Sequence, residues 1–214
     1  MAGEARSHLG GNAPAMRLLF FGPPGSGKGT QAALLAERLG VPAISTGEML
    51  RQAVASQTEL GKRCGAIMAS GALVDDTTMA DVVRSRVRQP DCGPGFILDG
   101  YPRNREQAET LDAILRETGC AVDAALFLDV PQEELVRRMT GRREQAGRAD
   151  DREEVVRERL RIYQEKTAPL VQYYEQRGLL RHINGNQPVE KVAAAIDAAI
   201  HGDDSGARTA RRAG

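Results

Sequence analysis

Lys28 stands inside a run of small residues, Gly22-Pro23-Pro24-Gly25-Ser26-Gly27-Lys28-Gly29-Thr30. Glycines at this spacing let the backbone turn tightly and aim successive N–H groups at one point. A helical pattern starts at once after the turn, so its unpaired N-terminal donors and the positive end of its dipole face the same point. Lys28 adds a full charge. The spacing G-x-x-x-x-G-K, with an apolar strand before it and a helix after it, is that of a loop built to hold phosphate. A plain strand–turn–helix corner needs no lysine among its glycines. One position departs from the pattern. Gly29 stands where Ser or Thr is expected and the hydroxyl comes one later, at Thr30. A direct hydroxyl ligand to Mg2+ is therefore displaced, and the ion is expected to rest mainly on phosphate oxygens and water.

A second group gathers around Asp99. It closes the apolar run Phe96-Ile97-Leu98, and a carboxylate there suits the water shell of Mg2+ beside bound phosphate. Gly100, Tyr101 and Pro102 follow, then Arg103. Gln107 lies one helical turn beyond Arg103 and can share its face. Its carboxamide offers a donor and an acceptor, which suits a purine edge. Arg159 falls within the apolar sector of Val155, Val156, Leu160, Ile162 and Tyr163, whereas Arg157 and Arg161 point elsewhere. An inward guanidinium must meet an anion, either an internal carboxylate or a phosphate. Arg138 and Arg142, four apart, can point together. Arg148 precedes Asp150 and Asp151, which could lock it in a salt bridge, anchor a closed lid or cap the next helix.

Elements that must position these groups alternate along the chain. Short apolar runs at Leu18–Phe21, Phe96–Asp99, Ala124–Val130 and Arg181–Asn184 read as strands buried on both faces. Helical patterns occupy Gln31–Leu39, Gly47–Ser56, Thr77–Arg88, Arg105–Glu117, Gln132–Thr140, Arg152–Gln176 and Pro188–His201. This alternation predicts an α/β fold, a parallel sheet with helices on both faces, whose ligands bind at the carboxyl ends of the strands. Residues 45–74 show helices but no evident strand. Residues 141–151 are polar and aperiodic, a surface loop or a mobile lid. Residues 1–15 read as a flexible extension and 202–214 as a disordered tail.

The 214 residues are expected to form one core domain, 16–201. With 29 basic and 29 acidic side chains and 4% aromatics, a nucleic-acid surface is not expected. No apolar run has the length of a membrane helix. The three cysteines are distant from one another and form no C-x-x-C pair, which argues against a disulfide scaffold or structural zinc and suits a reducing cytoplasm.

Taken with Ile44-Ser45-Thr46-Gly47-Glu48-Met49-Leu50-Arg51, Gly71-Ala72-Leu73-Val74, Gly141-Arg142 and Gly147-Arg148, these residues resemble the nucleoside monophosphate kinases, most closely adenylate kinases of the short-lid type. The likeness runs from about Met16 to about Ile200. It implies a P-loop NTPase-type three-layer fold with a five-stranded parallel sheet, a helical monophosphate-binding insert at 45–74 and a lid at 141–151. It further implies that Thr46, Arg51, Ala72, Leu73, Val74, Gly100, Tyr101, Pro102, Arg103, Gln107, Arg148 and Arg159 hold AMP. Gly25, Ser26, Gly27, Lys28, Gly29, Thr30, Arg142 and the backbone near Gln187 would hold ATP. Lys28, Arg103, Arg138, Arg148 and Arg159 would surround the moving phosphoryl group, with Mg2+ near Asp99 through water. The short lid lacks cysteines, so no zinc is expected. The implied partners are ATP, AMP and ADP, on a cytoplasmic monomer.

Acceptor choice is a narrower question. Pyrimidine monophosphate kinases share Pro-Arg-Asn, as at Asn104, but typically carry Ala at the Thr46 position and Asn at the Gln107 position; both residues here point to AMP. A P-loop protein that binds nucleotide without transferring phosphate would explain Gly22–Thr30 and Asp99 but not the arginine set. A nucleic-acid role for the basic tail is the third class. The expected chemistry is in-line transfer by positioning and electrostatics, with no nucleophilic side chain and no general base.

Overall fold

The computed structural model describes residues 15–146 and 153–202. At its centre is a five-stranded, wholly parallel sheet formed by β1 (Met16–Phe21), β2 (Ala43–Ser45), β3 (Gly95–Asp99), β4 (Ala124–Asp129) and β5 (Leu180–Asn184), in the order β2-β3-β1-β4-β5. The fold is therefore the expected α/β three-layer arrangement. β1 lies in the middle, pairing Leu18 with both Ile97 and Ala124. The run that starts at Gly22 leaves the carboxyl end of this central strand, and Asp99 ends the neighbour.

Strict alternation along β1 explains why its sequence is apolar throughout. Leu18 and Phe20 enter one core with Ala32 and Leu35 of α1 (Lys28–Leu39) and with Val192 and Ile196 near the chain's end. Leu19 and Phe21 enter the other, with Leu98, Leu111, Leu170 and Tyr174. A strand buried on both faces has no polar side to show.

β2 is a correction to the residue-level reading, which placed no strand there. It has three residues and one buried apolar side chain, Ile44. That is too short to carry a period of two. Its pairing with β3, Ala43 to Ile97 and Ser45 to Asp99, is what holds it extended.

The segment after β2 folds as α2 (Thr46–Ala55) and α3 (Glu59–Ala69), then α4 (Asp76–Val87). Ser45, Thr58 and Asp75 cap these helices by accepting from the N–H groups of Glu48, Gly61 and Thr78. α5 (Arg105–Arg116) is capped by Asn104, whose Oδ1 accepts from Gln107 N at 2.8 Å.

Two helical boundaries differ from expectation. α6 spans Gln132–Ala146, so the stretch read as aperiodic loop from 141 is helical through 146. Arg, Glu, Gln and Ala are strong helix formers, and no proline interrupts them. The single long helix expected at 152–176 is three pieces: α7 (Glu153–Ile162), a π turn (Tyr163–Thr167) and α8 (Pro169–Glu175). Pro169 has no N–H to give, and Ala168 N bonds Tyr163 O at 2.8 Å, one residue further back than in an α-helix. α9 (Val189–His201) ends the described chain. Residues 1–14, 147–152 and 203–214, which include Arg148, Asp150 and Asp151, lie outside the described residues. Among the described residues no helix is long and apolar enough to cross a membrane.

Candidate active site

One cleft of about 850 Å3 opens along the carboxyl ends of the strands. Its floor is the glycine loop. Gly22 has φ +138, and a Cβ there would stand 2.7 Å from the Leu128 carbonyl oxygen, so no side chain fits. Gly25 abuts α6: a Cβ would lie 3.0 Å from both Leu135 O and Met139 Cγ. The loop is therefore braced by the helix that continues to Ala146. α1 begins at Lys28 after Gly27, with no side-chain cap, which leaves its first N–H groups for an anion. Lys28 Nζ donates to the carbonyls of Gly22 and Pro23, each at 2.9 Å, and to Ser26 Oγ at 3.4 Å. Ser26 is buried.

Asp99 meets this floor from β3. A Cβ on Gly29 would lie 3.7 Å from Asp99 Oδ2. The carboxylate is thus set against the first turn of α1, where Gly29 replaces the usual hydroxyl. Among the described residues no three His, Cys, Asp or Glu side chains gather as a metal cage. A lone hard oxygen donor beside a phosphate loop fits Mg2+ reached through water, and fits a soft, thiolate-bound ion poorly.

Arginines converge on the same cleft. Arg51, Arg103, Arg138 and Arg159 all line it. Arg138 is held from two sides: Nε donates to Glu134 Oε1 at 2.7 Å and Nη2 to Gly185 O at 3.2 Å. The Arg138 hydrogen bond, helped by Arg137, holds the Glu134 carboxyl below its ordinary range. Arg103 Nε donates to Gly100 O at 2.7 Å. Arg51 donates to Glu48 Oε2 from Nε and Nη2 at 3.0 and 2.9 Å. Arg159 reaches the cleft because α7 packs on the turn after α3. A Cβ at Gly71 would stand 3.0 Å from Val155 Cγ1 and 3.2 Å from Arg159 Cγ. Burial pushes the neighbouring Tyr163 phenol up to about 12.

A smaller chamber of about 60 Å3 adjoins the cleft, lined by Thr46, Ala72, Leu73, Val74, Gly100, Gln107 and both Arg103 and Arg159. Thr46 is buried and its hydroxyl donates to Asp99 O at 3.3 Å. Gln107 is 2% exposed. Its Oε1 accepts from Arg103 N at 2.8 Å, and its Nε2 donates to Asp76 Oδ1 at 2.8 Å.

Most of the residues singled out from sequence therefore meet at one place. Gly25 to Thr30, Arg51, Leu73, Gly100, Pro102, Arg103, Arg138, Arg159 and Gln187 line the cleft, and Thr46, Ala72, Val74 and Gln107 the chamber beside it. Tyr101 does not join them. Its side chain is 1% exposed and belongs to the core that holds Leu98 and Leu111, and it lines neither the cleft nor the chamber. The backbone at Arg142 is helical, and its side chain lies outside the described residues.

Sequence reading missed Asp76, Glu134 and Thr167. Thr167 Oγ1 donates to Arg103 O at 2.8 Å and so fastens the loop after β3 to the π turn. No local signal marks it, because its partner is distant in the chain. Glu134 could have been found as the i−4 partner of Arg138. Asp76 reads as an ordinary first-turn acid. Asn104, which fits a pyrimidine kinase as well, is occupied here as the α5 cap and donates to Asp76 at 3.1 and 3.0 Å.

Comparison with known proteins gives a consistent answer. The family model described as "Adenylate kinase" matches residues 20–179. An adenylate kinase of Stenotrophomonas maltophilia (strain R551-3) is 49% identical over 187 residues, covering 87% of this chain and 100% of the relative. One from Rhizobium meliloti (strain 1021) is 50% identical over 188 residues, covering 85% and 98%. One from the archaeon Archaeoglobus fulgidus is 43% identical over 212 residues, covering 86% and 98%.

Proposed function

Since this chain belongs to the adenylate kinase family and so catalyses the reversible transfer ATP + AMP ⇌ 2 ADP, we propose that its cleft seats the two nucleotides tail to tail, ATP on the glycine loop and AMP on the side of the smaller chamber. The observation that carries this is the convergence of a phosphate loop, Lys28, Asp99 and Arg51, Arg103, Arg138 and Arg159 on one wall-to-wall space.

In this reading the N–H groups of Gly25 to Thr30 and the Lys28 ammonium hold the donor's phosphates, with Gln187 bordering its base. Arg51 and Arg103 hold the acceptor's phosphate, and Thr46, Ala72 to Val74 and Gln107 enclose its base. Arg103, Arg138, Arg159 and, from outside the described residues, Arg148 neutralise charge on the moving phosphoryl oxygens. Mg2+ would rest near Asp99 through water and would supply charge neutralisation on the phosphates. No side chain need act as nucleophile, because the acceptor phosphate is already an anion. Positioning and fixed cations supply the rate enhancement. Residues 45–74 serve as the acceptor insert and 141–151 as the lid. Closure excludes water, which would otherwise accept the phosphoryl group. The chain works as a cytoplasmic monomer; three free cysteines suit that compartment.

The test is an acceptor panel of AMP, CMP, UMP and GMP with ATP and Mg2+, following ADP. AMP should exceed each of the others by at least about tenfold in kcat/KM. A preference for CMP or UMP would overturn the assignment of the chamber.

A further inference from the structure

We propose that Asp76 is a positioning residue that sets which base the acceptor chamber takes, by holding the Gln107 carboxamide in one orientation. The proposal rests on the reading above that Gln107 meets the acceptor's base.

A carboxamide can be turned over at little cost in shape, and doing so exchanges its donor for its acceptor. At Gln107 both ends are claimed. The Arg103 backbone N–H can only donate, and it meets Oε1 at 2.8 Å. The Asp76 carboxylate can only accept, and it meets Nε2 at 2.8 Å. Turned over, the amide would set oxygen against oxygen at Asp76 and N–H against N–H at Arg103. Gln107 is buried, so neither clash could be relieved by water. Asp76 is itself steadied: both of its oxygens accept from Asn104 Nδ2, at 3.1 and 3.0 Å. Asn104 in turn is fixed by accepting from Gln107 N at 2.8 Å. The three side chains form a closed set, with the only charged member at the start of α4.

Two capacities remain on Gln107, one N–H and one oxygen lone pair, each on a fixed side. They match a base edge with an exocyclic amino donor beside an unprotonated ring nitrogen. A 6-oxo purine carries the opposite pair, a carbonyl acceptor beside a ring N–H. It would need the amide reversed, which Asp76 forbids. Selectivity for a 6-amino over a 6-oxo purine thus originates partly in a residue that touches Gln107 and need not touch the base.

AMP and IMP differ only in that pair of groups and are the probes. In D76N, the new carboxamide can accept from Gln107 Nε2 or donate to a reversed Oε1, so one of the two clashes that oppose reversal is removed and only the Arg103 N–H still stands against it. The AMP-to-IMP ratio of kcat/KM should fall at least tenfold, through KM for the acceptor, while KM for ATP stays within twofold. D76E, which restores a carboxylate, should recover part of the ratio. Q107A tests the underlying reading separately. If Q107A leaves the AMP-to-IMP ratio unchanged, Gln107 does not meet the base and the proposal falls with that reading. If Q107A changes the ratio but D76N does not, or D76N depresses both acceptors equally, Asp76 is structural only and the proposal alone is overturned.

Discussion

The hydroxyl of Thr167 donates to the main-chain carbonyl of Arg103 at 2.8 Å, joining the π turn after α7 to the loop that brings Arg103 to the cleft. The bond is partly buried, with Thr167 itself 9% exposed. Thr167→Val keeps the shape and removes the donor. It should cost about 1 kcal/mol of stability. Since small misplacements of a positioning group are expensive, kcat should fall by about 3- to 10-fold. Denaturant melts and steady-state kinetics check both; unchanged kcat would mean that Arg103 keeps its place without this tie.

Arg103→Ala should lower kcat by about 100-fold or more, as removing one donor to transition-state charge does elsewhere. The bond from Arg103 Nε to the Gly100 carbonyl is local, within the loop after β3, so its loss should change the fold little. A loss of tenfold or less in single-turnover measurements would make the arginine peripheral.

Gly100→Ala tests how closely β3 approaches α2. Gly100 has φ +85, and a Cβ there would stand 2.8 Å from Thr46 Oγ1. The backbone conformation alone should cost about 1–2 kcal/mol. At this chain length that corresponds to a drop of about 2–8 °C in Tm. KM for AMP should rise, because Thr46 and Gly100 both border the chamber proposed to take the acceptor. A variant with native Tm and native KM would show that the strand end can shift freely.

Gly141→Ala should do the opposite to stability. Gly141 lies in the interior of α6, and a Cβ there meets nothing within 4 Å. Replacing a helix-interior glycine gains about 1 kcal/mol. Tm should therefore rise by about 2–4 °C. No rise in calorimetry would argue that the helix does not continue past Gly141 in solution.

Stability should be flat across neutral pH and fall at both ends. Asp75, Asp91, Glu134 and Glu158 are held below their ordinary values, by Thr78 N–H, Arg86, Arg138 and Arg161 respectively. A lowered folded-state value contributes stability above the unfolded value and loses it as pH falls, so the acid limb should begin below about 4.5. Burial raises the thiols of Cys64 and Cys92 and the phenols of Tyr101, Tyr163 and Tyr174, Tyr163 to about 12. A raised acid contributes below its unfolded value and loses that contribution as pH climbs, so the alkaline limb should begin above about 8.5, with the thiols, and steepen above about 10, with the phenols. Thermal melts from pH 3 to 11 should trace this plateau. A Tm that peaks sharply near pH 7 would contradict it.

Local sequence determined the phosphate loop, because a tight turn followed by a helix start is set within a dozen residues by glycine spacing and backbone donors. It likewise determined four strands and the alternation that makes the sheet parallel, since burial on both faces writes itself as a continuous apolar run. Arg159 could be placed inward from helical phase alone. Tertiary structure decided the rest. β2 exists because β3 supplies its hydrogen bonds, not because Ala43, Ile44 and Ser45 insist on it. Tyr101 sits in the same loop as Arg103, yet it turns to the core while Arg103 turns to the cleft, a choice made by packing against Leu98 and Leu111. The partners of Gln107 and Arg103, namely Asp76 and Thr167, are 31 and 64 residues away along the chain. Hydrogen bonds of that span leave no trace in local composition, because only the closed sheet and its covering helices bring their two ends together.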